Sequence, residues 1–253
     1  MFRAEPGKGP PLCGLCDTFQ RLIPLGLRTV HPVLAANHRA FKKVDHDQPL
    51  DQCLFTVLDT ELTGLNTDRG EIVAIGAVRL EGLTIRAEQT FSRLVKPRRA
   101  LPKASTLIHR ITPALVNNAA ELAEVLPEFV EFLNGTLVVG HHVGLDMNFL
   151  NKACRKILGG KLSNPCLDTM RMAQIYRAEQ WENYYDRYDL KVSYSLADLS
   201  AEFSLPRFPA HNALGDAMQT AYLFLYLVRK LKDGGIVTLR DLFNAGRSWR
   251  WYF

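Results

Sequence analysis

Hydrophobic and polar positions change their rhythm at Cys53. From there Leu54-Phe55-Thr56-Val57-Leu58 is an apolar, β-branched run that predicts a strand, and residues 71–80 (EIVAIGAVRL) and 85–95 predict two more. Helical spacing follows over 113–116 and 122–133. A short buried strand is expected at 137–140 and a helix at 146–158. Cys166-Leu167-Asp168-Thr169 reads as a strand end that caps a helix over 170–177, and further helices are expected over 195–203 and 213–231. Strands first, then strands alternating with helices, predict an α/β domain with a mixed β-sheet flanked by helices.

The N-terminal part reads differently. Residues 1–11 are rich in Gly and Pro and are expected to be a frayed end, and 12–44 mix apolar and basic residues broken by Pro24 and Pro32. One or two short helices are expected there. The expected organisation is an N-terminal, largely helical extension over 1–50, a main domain over 51–235, and a basic-aromatic tail over 236–253. That tail ends in Arg247-Ser248-Trp249-Arg250-Trp251-Tyr252-Phe253, which suits either stacking on nucleic acid or folding back onto the domain. Tyr184, Tyr185 and Tyr188, interleaved with charges, mark a polar aromatic loop.

Composition adds bounds. With 253 residues, 47% hydrophobic and 23% charged, 17 Gly and 13 Pro, the chain is ordinary globular material and excludes collagen-like or low-complexity classes. Its net charge of +5, from 31 basic and 26 acidic residues, suits a polyanionic partner without requiring one. The longest apolar run, 221–228, is far short of the roughly 18 residues of a membrane span, so a soluble protein with no membrane partner is expected. Five scattered cysteines without a signal-like apolar segment predict reduced thiols in a cytoplasmic setting. Cys13 and Cys16 with His31 and His38 make a zinc site conceivable. No second close pair follows, and two ordinary thiols are the preferred reading.

Three acidic places stand out. Asp59 and Glu61 lie two apart at the end of the first predicted strand and so share a face, where two carboxylates repel unless a cation or proton sits between them. Hard oxygen ligands at a strand end suit a divalent metal, and a solvated turn is the alternative. Asp146 falls in the first turn of a helix after a buried strand, where it serves either as a cap or as a ligand. His211 precedes Asp216 by five residues at the start of the last long helix, so a proton-transfer group stands near a carboxylate on an otherwise apolar face.

Taken in order, Asp-x-Glu on a first strand, Asp at a helix start and His-x(4)-Asp at the last helix resemble the DEDDh exonucleases. This is the DnaQ-like family that includes the proofreading epsilon subunit of bacterial DNA polymerase III. The resemblance runs from about residue 55 to 228 and takes in Ile108-His109-Arg110-Ile111-Thr112, similar to the family's His-x-Ile-Thr segment, and Leu167-Asp168-Thr169. It implies a ribonuclease-H-like fold and a 3′–5′ exonuclease that uses two divalent metal ions, Mg²⁺ or Mn²⁺, and releases nucleoside 5′-monophosphates. By the family pattern, Asp59, Glu61 and Asp216 would hold one metal, Asp59 and Asp146 the other, and His211 would be the general base. Thr60, Leu62, Thr63 and Leu65 match positions that cup the terminal nucleotide, and His109 a position beside it. His142 and Phe149 are further expected substrate contacts, with core packing an equal reading for Phe149. Leu62 stands where Thr is commoner and His142 where Asn is commoner, and both bear on substrate preference. The implied partners are nucleic-acid 3′ ends, single-stranded DNA first, with RNA 3′ ends or a scaffold role beside a polymerase as the alternatives. The basic run Arg93, Lys96, Arg98, Arg99 and Lys103 suits either phosphates or a solvated loop.

Overall fold

The computed structural model describes residues 29–180 and 193–245. Cys13 and Cys16, the Tyr184–Tyr188 loop and the aromatic tail from Arg247 lie outside them. The apolar, β-branched runs after Cys53 become three antiparallel strands, β1 (Leu54–Leu62), β2 (Ile72–Glu81) and β3 (Thr84–Lys96). The short strands β4 (Ala120–Glu121), β5 (Leu137–Gly140) and β6 (Cys166–Asp168) join in parallel, giving the sheet order β4-β3-β2-β1-β5-β6. The sheet is mixed, as the pattern predicts. Two helices between β3 and β4, α2 (Lys103–His109) and α3 (Pro113–Val116), shape its rim, and α2 is an addition to the predicted elements.

Because side chains alternate along a strand, β1 serves two cores. Leu58 and Leu62 pack toward α4 (Leu122–Phe132), α5 (Gly144–Ile157) and α1 (Pro32–Ala40). Phe55 and Val57 pack toward α6 (Thr169–Gln180), α7 (Leu196–Glu202), α8 (Ala213–Asp233) and α9 (Leu239–Ala245). Phe55 meets Phe224 of α8 edge-on at 5.0 Å. Each such fully buried large side chain contributes about 1.5–3 kcal/mol through removal of apolar surface from water.

Both flanks of the main domain are tied into it. In α1, Leu34 is fully buried, and Asn37 donates to Asn164 Oδ1 (2.7 Å) and accepts from the Ser163 amide. The histidines considered for zinc have structural partners: His31 Nδ1 accepts from the Val33 amide at the start of α1, and His38 Nε2 donates to the Lys161 carbonyl. At the other end, Leu50 N donates to Val237 O, Arg240 N to His46 O, and Arg240 pairs with Asp47. Among the described residues no helix is long and apolar enough to cross a membrane. Cys53, Cys154 and Cys166 are unpaired thiols that burial pushes up to about 11, 12 and 12.

Candidate active site

Period two carries the site. Asp59 and Glu61 continue the β1 face of Phe55 and Val57, where that face runs past the end of the apolar core toward the start of α8. Asp216 enters from the first turn of α8. Ligand oxygens of Asp59, Glu61 and Asp216 all lie within 4.8 Å of one another. None of them has an ion-pair partner among the described residues.

Two local devices fix that approach. Gly76 of β2 stands opposite Asp59 in the strand register, and a Cβ there would come within 2.1 Å of the Ala213 carbonyl carbon and 2.2 Å of the Leu214 nitrogen. The first turn of α8 therefore rests on bare backbone, and only glycine permits it. Asn212 Oδ1 then caps α8 by accepting from the Gly215 amide at 3.0 Å. Gln219, buried one turn further on, accepts from the Phe208 amide and holds the loop that leads to His211.

Asp146 arrives from the opposite face of β1. It lies in the first turn of α5, and its Oδ1 accepts from the Thr60 amide (3.0 Å) and the Thr60 hydroxyl (2.5 Å). Thr60 thus ties the start of α5 to β1 itself. Burial pushes Asp59 well above the usual carboxylate range, and the charges of Asp146, Asp216 and Glu61 add to it. Burial, then Asp216 and Asp146, raises Glu61 to about 7. Burial raises Asp146 to about 7 against the pull of the Thr60 hydrogen bonds. Asp216 is also raised by burial, while the His211 and Asn212 amides and the His211 charge oppose the shift. Crowded, desolvated acids with no ion pair of their own suit a divalent cation, and Asp59, Glu61 and Asp216 form a set that can hold one.

The histidines divide into two uses. His211 is exposed, sits at φ 59° in the left-handed region, and its charge reaches both Asp216 and His109. His109 is buried at the end of α2, with its Nδ1 accepting from the Ile111 amide, so its Nε2 carries the proton and has no partner among the described residues. An unpartnered buried donor on the His211 side of the site is a position for a ligand oxygen. His141 is structural: its Nε2 donates to the Tyr194 carbonyl and its Nδ1 meets the Thr169 hydroxyl, both at 2.9 Å. His142 turns the chain at φ 59°, and its amide donates to Asp168 Oδ1, which also caps α6.

The other expected contacts are spread along the β1–β2 loop. Leu65 is 76% exposed, Leu62 and Thr63 are half-buried, and the Thr63 hydroxyl accepts from the Glu71 amide. Phe149 is 4% exposed and belongs to the α5-side core, which is the packing reading of this residue. Gly76, Asn212, Gln219 and the Thr60 hydroxyl are site-building residues that the sequence reading did not single out. Two signals were available among them: an isolated glycine inside a strand pattern at Gly76, and an asparagine, Asn212, directly before a predicted helix.

Comparison with known proteins places this geometry in context. The RNase_T exonuclease model matches residues 56–224. A PolC-type DNA polymerase III of Thermotoga petrophila is 33% identical over 80% of this chain, which spans only 14% of that polymerase's length. The DNA polymerase III subunit epsilon of Aquifex aeolicus is 33% identical over 70% of this chain and 81% of its own. In structure, E. coli Exonuclease I in complex with a dT13 oligonucleotide superposes with a TM-score of 0.61 at 17% identity, over 73% of this chain and 43% of that one. The fold is ribonuclease-H-like.

Proposed function

The chain belongs to the RNase_T exonuclease family, and we infer that it is a metal-dependent 3′–5′ exonuclease. In this reading it removes nucleoside 5′-monophosphates from the 3′ end of single-stranded DNA. The observation that carries the reading is the convergence of Asp59, Glu61 and Asp216 within 4.8 Å with no ion pair to any of them among the described residues. Asp59, Glu61 and Asp216 would hold one divalent ion, and Asp59 with Asp146 a second. Two such ions, Mg²⁺ or Mn²⁺, would supply Lewis-acid stabilisation of the attacking and leaving oxygens of an in-line displacement.

The protein's own groups have distinct tasks. The His211 imidazole, beside Asp216 and open to solvent, takes the proton of the attacking water and passes it outward. His109 Nε2–H donates to an oxygen of the terminal nucleotide, a role supported by its lack of a partner among the described residues. Leu65, with Leu62 and the backbone of Thr60 and Thr63, cups the terminal base and sugar, and His142 borders the other side. Thr60 keeps Asp146 at a fixed distance from Asp59 while the strand advances.

Relatives named as a PolC-type DNA polymerase III and a polymerase III subunit epsilon support work beside a replicative polymerase, in proofreading or repair, and the cytoplasm is the setting we propose for it. The test uses 5′-labelled single-stranded DNA and RNA of one sequence with Mg²⁺, Mn²⁺ or EDTA. The expected result is a stepwise ladder from the 3′ end that needs metal and disappears in Asp59→Ala and His211→Ala. Faster decay of RNA than of DNA would replace the substrate with RNA 3′ ends. A wild-type protein inert on every strand would overturn the enzymatic reading in favour of a scaffold.

A further inference from the structure

A cleft of about 280 Å³, lined by none of the four site carboxylates, lies between the β1–β2 loop, the end of β3 and one side of α5. Six cations line it: Arg69 from the loop, Lys96, Arg98 and Arg99 from the end of β3 and the turn beyond, and Lys152 and Lys156 from α5. All six are exposed. Of the three carboxylates in the wall, two are already engaged. Glu71 Oε2 accepts from the amides of Arg98 and Arg99 at 2.9 and 3.2 Å, and Asp68 pairs with Lys152 at 3.5 Å. Glu121 is the third. Lys96, Arg98 and Lys156 have no ion pair among the described residues.

We propose that this cleft is a second, non-catalytic binding site for single-stranded polynucleotide, holding phosphodiester groups on the 5′ side of the nucleotide being removed. The proposal rests on the exonuclease reading and deepens it. Its first support is electrostatic. Four crowded carboxylates repel a polyanion everywhere except at a metal-neutralised phosphate, so the rest of the strand needs a separate cationic surface close by. Its second support is placement. Lys152 and Lys156 follow Asp146 on α5 by six and ten residues, about 9 and 15 Å along the axis at 1.5 Å per residue. That equals roughly three to four stacked nucleotides at 3.4 Å each.

The two sites are also joined through one loop. The β1–β2 loop leaves the strand that carries Glu61, and Lys152 Nζ donates to its Thr67 carbonyl. Gly70 lets the loop lie directly on Phe149, where a Cβ would come within 2.9 Å of the ring. The basic run in the sequence is thereby divided. Lys96, Arg98 and Arg99 face the cleft, whereas Arg93 turns to Glu128 at 3.7 Å.

The experiment measures anisotropy of 5′-fluorescein dT12 on the full-length protein in EDTA across a salt series. A cleft triple, Lys96→Ala/Arg98→Ala/Lys156→Ala, is compared with a control triple of equal charge, Arg86→Ala/Lys232→Ala/Arg240→Ala. All six side chains are at least partly exposed, and a thermal melt checks that each variant folds. The expected result is a Kd about tenfold higher for the cleft triple alone, a salt slope shallower by about 2, and a smaller loss for dT3. Equal Kd values for the two triples, or a cleft triple that binds dT12 like the wild type, overturn the proposal even if the wild type degrades DNA. A wild type inert on labelled strands overturns the nuclease reading through a separate assay, and the dT12 comparison still decides whether the cleft holds a strand.

Discussion

Acidic residues live in two contrasting settings in this molecule. At the surface, hydrogen-bond donors and a cation hold Asp47, Asp198 and Asp241 below the usual carboxylate range. Asp47 has the Arg240 guanidinium, Asp198 accepts from the hydroxyls of Ser193 and Ser195, and Asp241 Oδ2 accepts from the Thr238 hydroxyl and the amides of Thr238 and Val237. At the ends of β1, α5 and α8 the same chemical group is pushed the other way by burial and by its neighbours. The surface acids organise turns and helix starts and favour folding when ionised. The site acids oppose folding when ionised, which is the electrostatic pattern of a set that can hold a cation.

The largest effect comes from deleting one charge from the crowded set. Asp59→Asn keeps shape and hydrogen-bonding capacity while removing the group that the three other acids act on. We expect kcat to fall by at least about 10²–10³-fold, on the scale of losing one well-placed electrostatic group. The metal-free variant at pH 8 should melt above the wild type, because repulsion is relieved. A lower melting temperature would mean that Asp59 stabilises the fold and would dissolve the contrast.

Next in size is Gly76→Ala, which leaves every carboxylate in place. The added methyl would push against the backbone of Ala213 and Leu214. Overpacking of this kind costs about 1–3 kcal/mol, and the displaced α8 would carry Asp216 away from Asp59 and Glu61. Calorimetric titration with Mn²⁺ should show weakened binding alongside the lost stability. Stability lost with unchanged Mn²⁺ affinity would show that the α8 contact does not set the spacing of the acids.

How much of this could be read from residue order follows from what each feature depends on. Asp59, Glu61, Asp146 and Asp216 were legible because strand period and helix starts are local properties, and their order along the chain resembles one family. The three long strands were legible from their apolar, β-branched runs, and their edges moved by only a residue at β2 and β3. The α8 seat on Gly76, the Thr60 link to Asp146 and the Gln219 tether were not, because each is a contact between residues far apart in the chain. Phe149 shows the same limit. An aromatic three residues after Asp146 can face solvent or core, and the β1–β2 loop closing over it decides for the core. The cationic cleft joins a legible basic run to Arg69, Lys152 and Lys156, which only the fold brings to it.

A pH series separates the two settings without mutation. Glu61 and Asp146 titrate near 7 in the folded metal-free protein and in the ordinary carboxylate range when unfolded. A raised folded pKa means that stability is fully present below the unfolded value and is lost as pH rises through the folded one. The metal-free protein should therefore lose melting temperature between about pH 4.5 and pH 8. Mg²⁺ or Mn²⁺ should restore it, and restore more at pH 8 than at pH 5, since only ionised acids bind the cation. Metal-induced stabilisation that is flat across this window would remove the repulsive acids from the account.

The smallest effect is expected from Asp241→Asn, and its sign is what makes it informative. Asp241 is held below its ordinary 3.8 by the Thr238 hydroxyl first and the Thr238 and Val237 amides next, at the start of α9. A depressed folded pKa contributes stability above the unfolded value that is lost as pH falls through the folded one, opposite to Glu61. The variant should melt slightly below the wild type at pH 7, with the gap closing as pH drops below 3.8. Exonuclease rate should not change, because α9 meets the segment before β1 and supplies no group to the carboxylates. A fall in kcat would show that this clamp transmits strain along β1 to Asp59 and Glu61. The surface acids would then also be part of how the site is held.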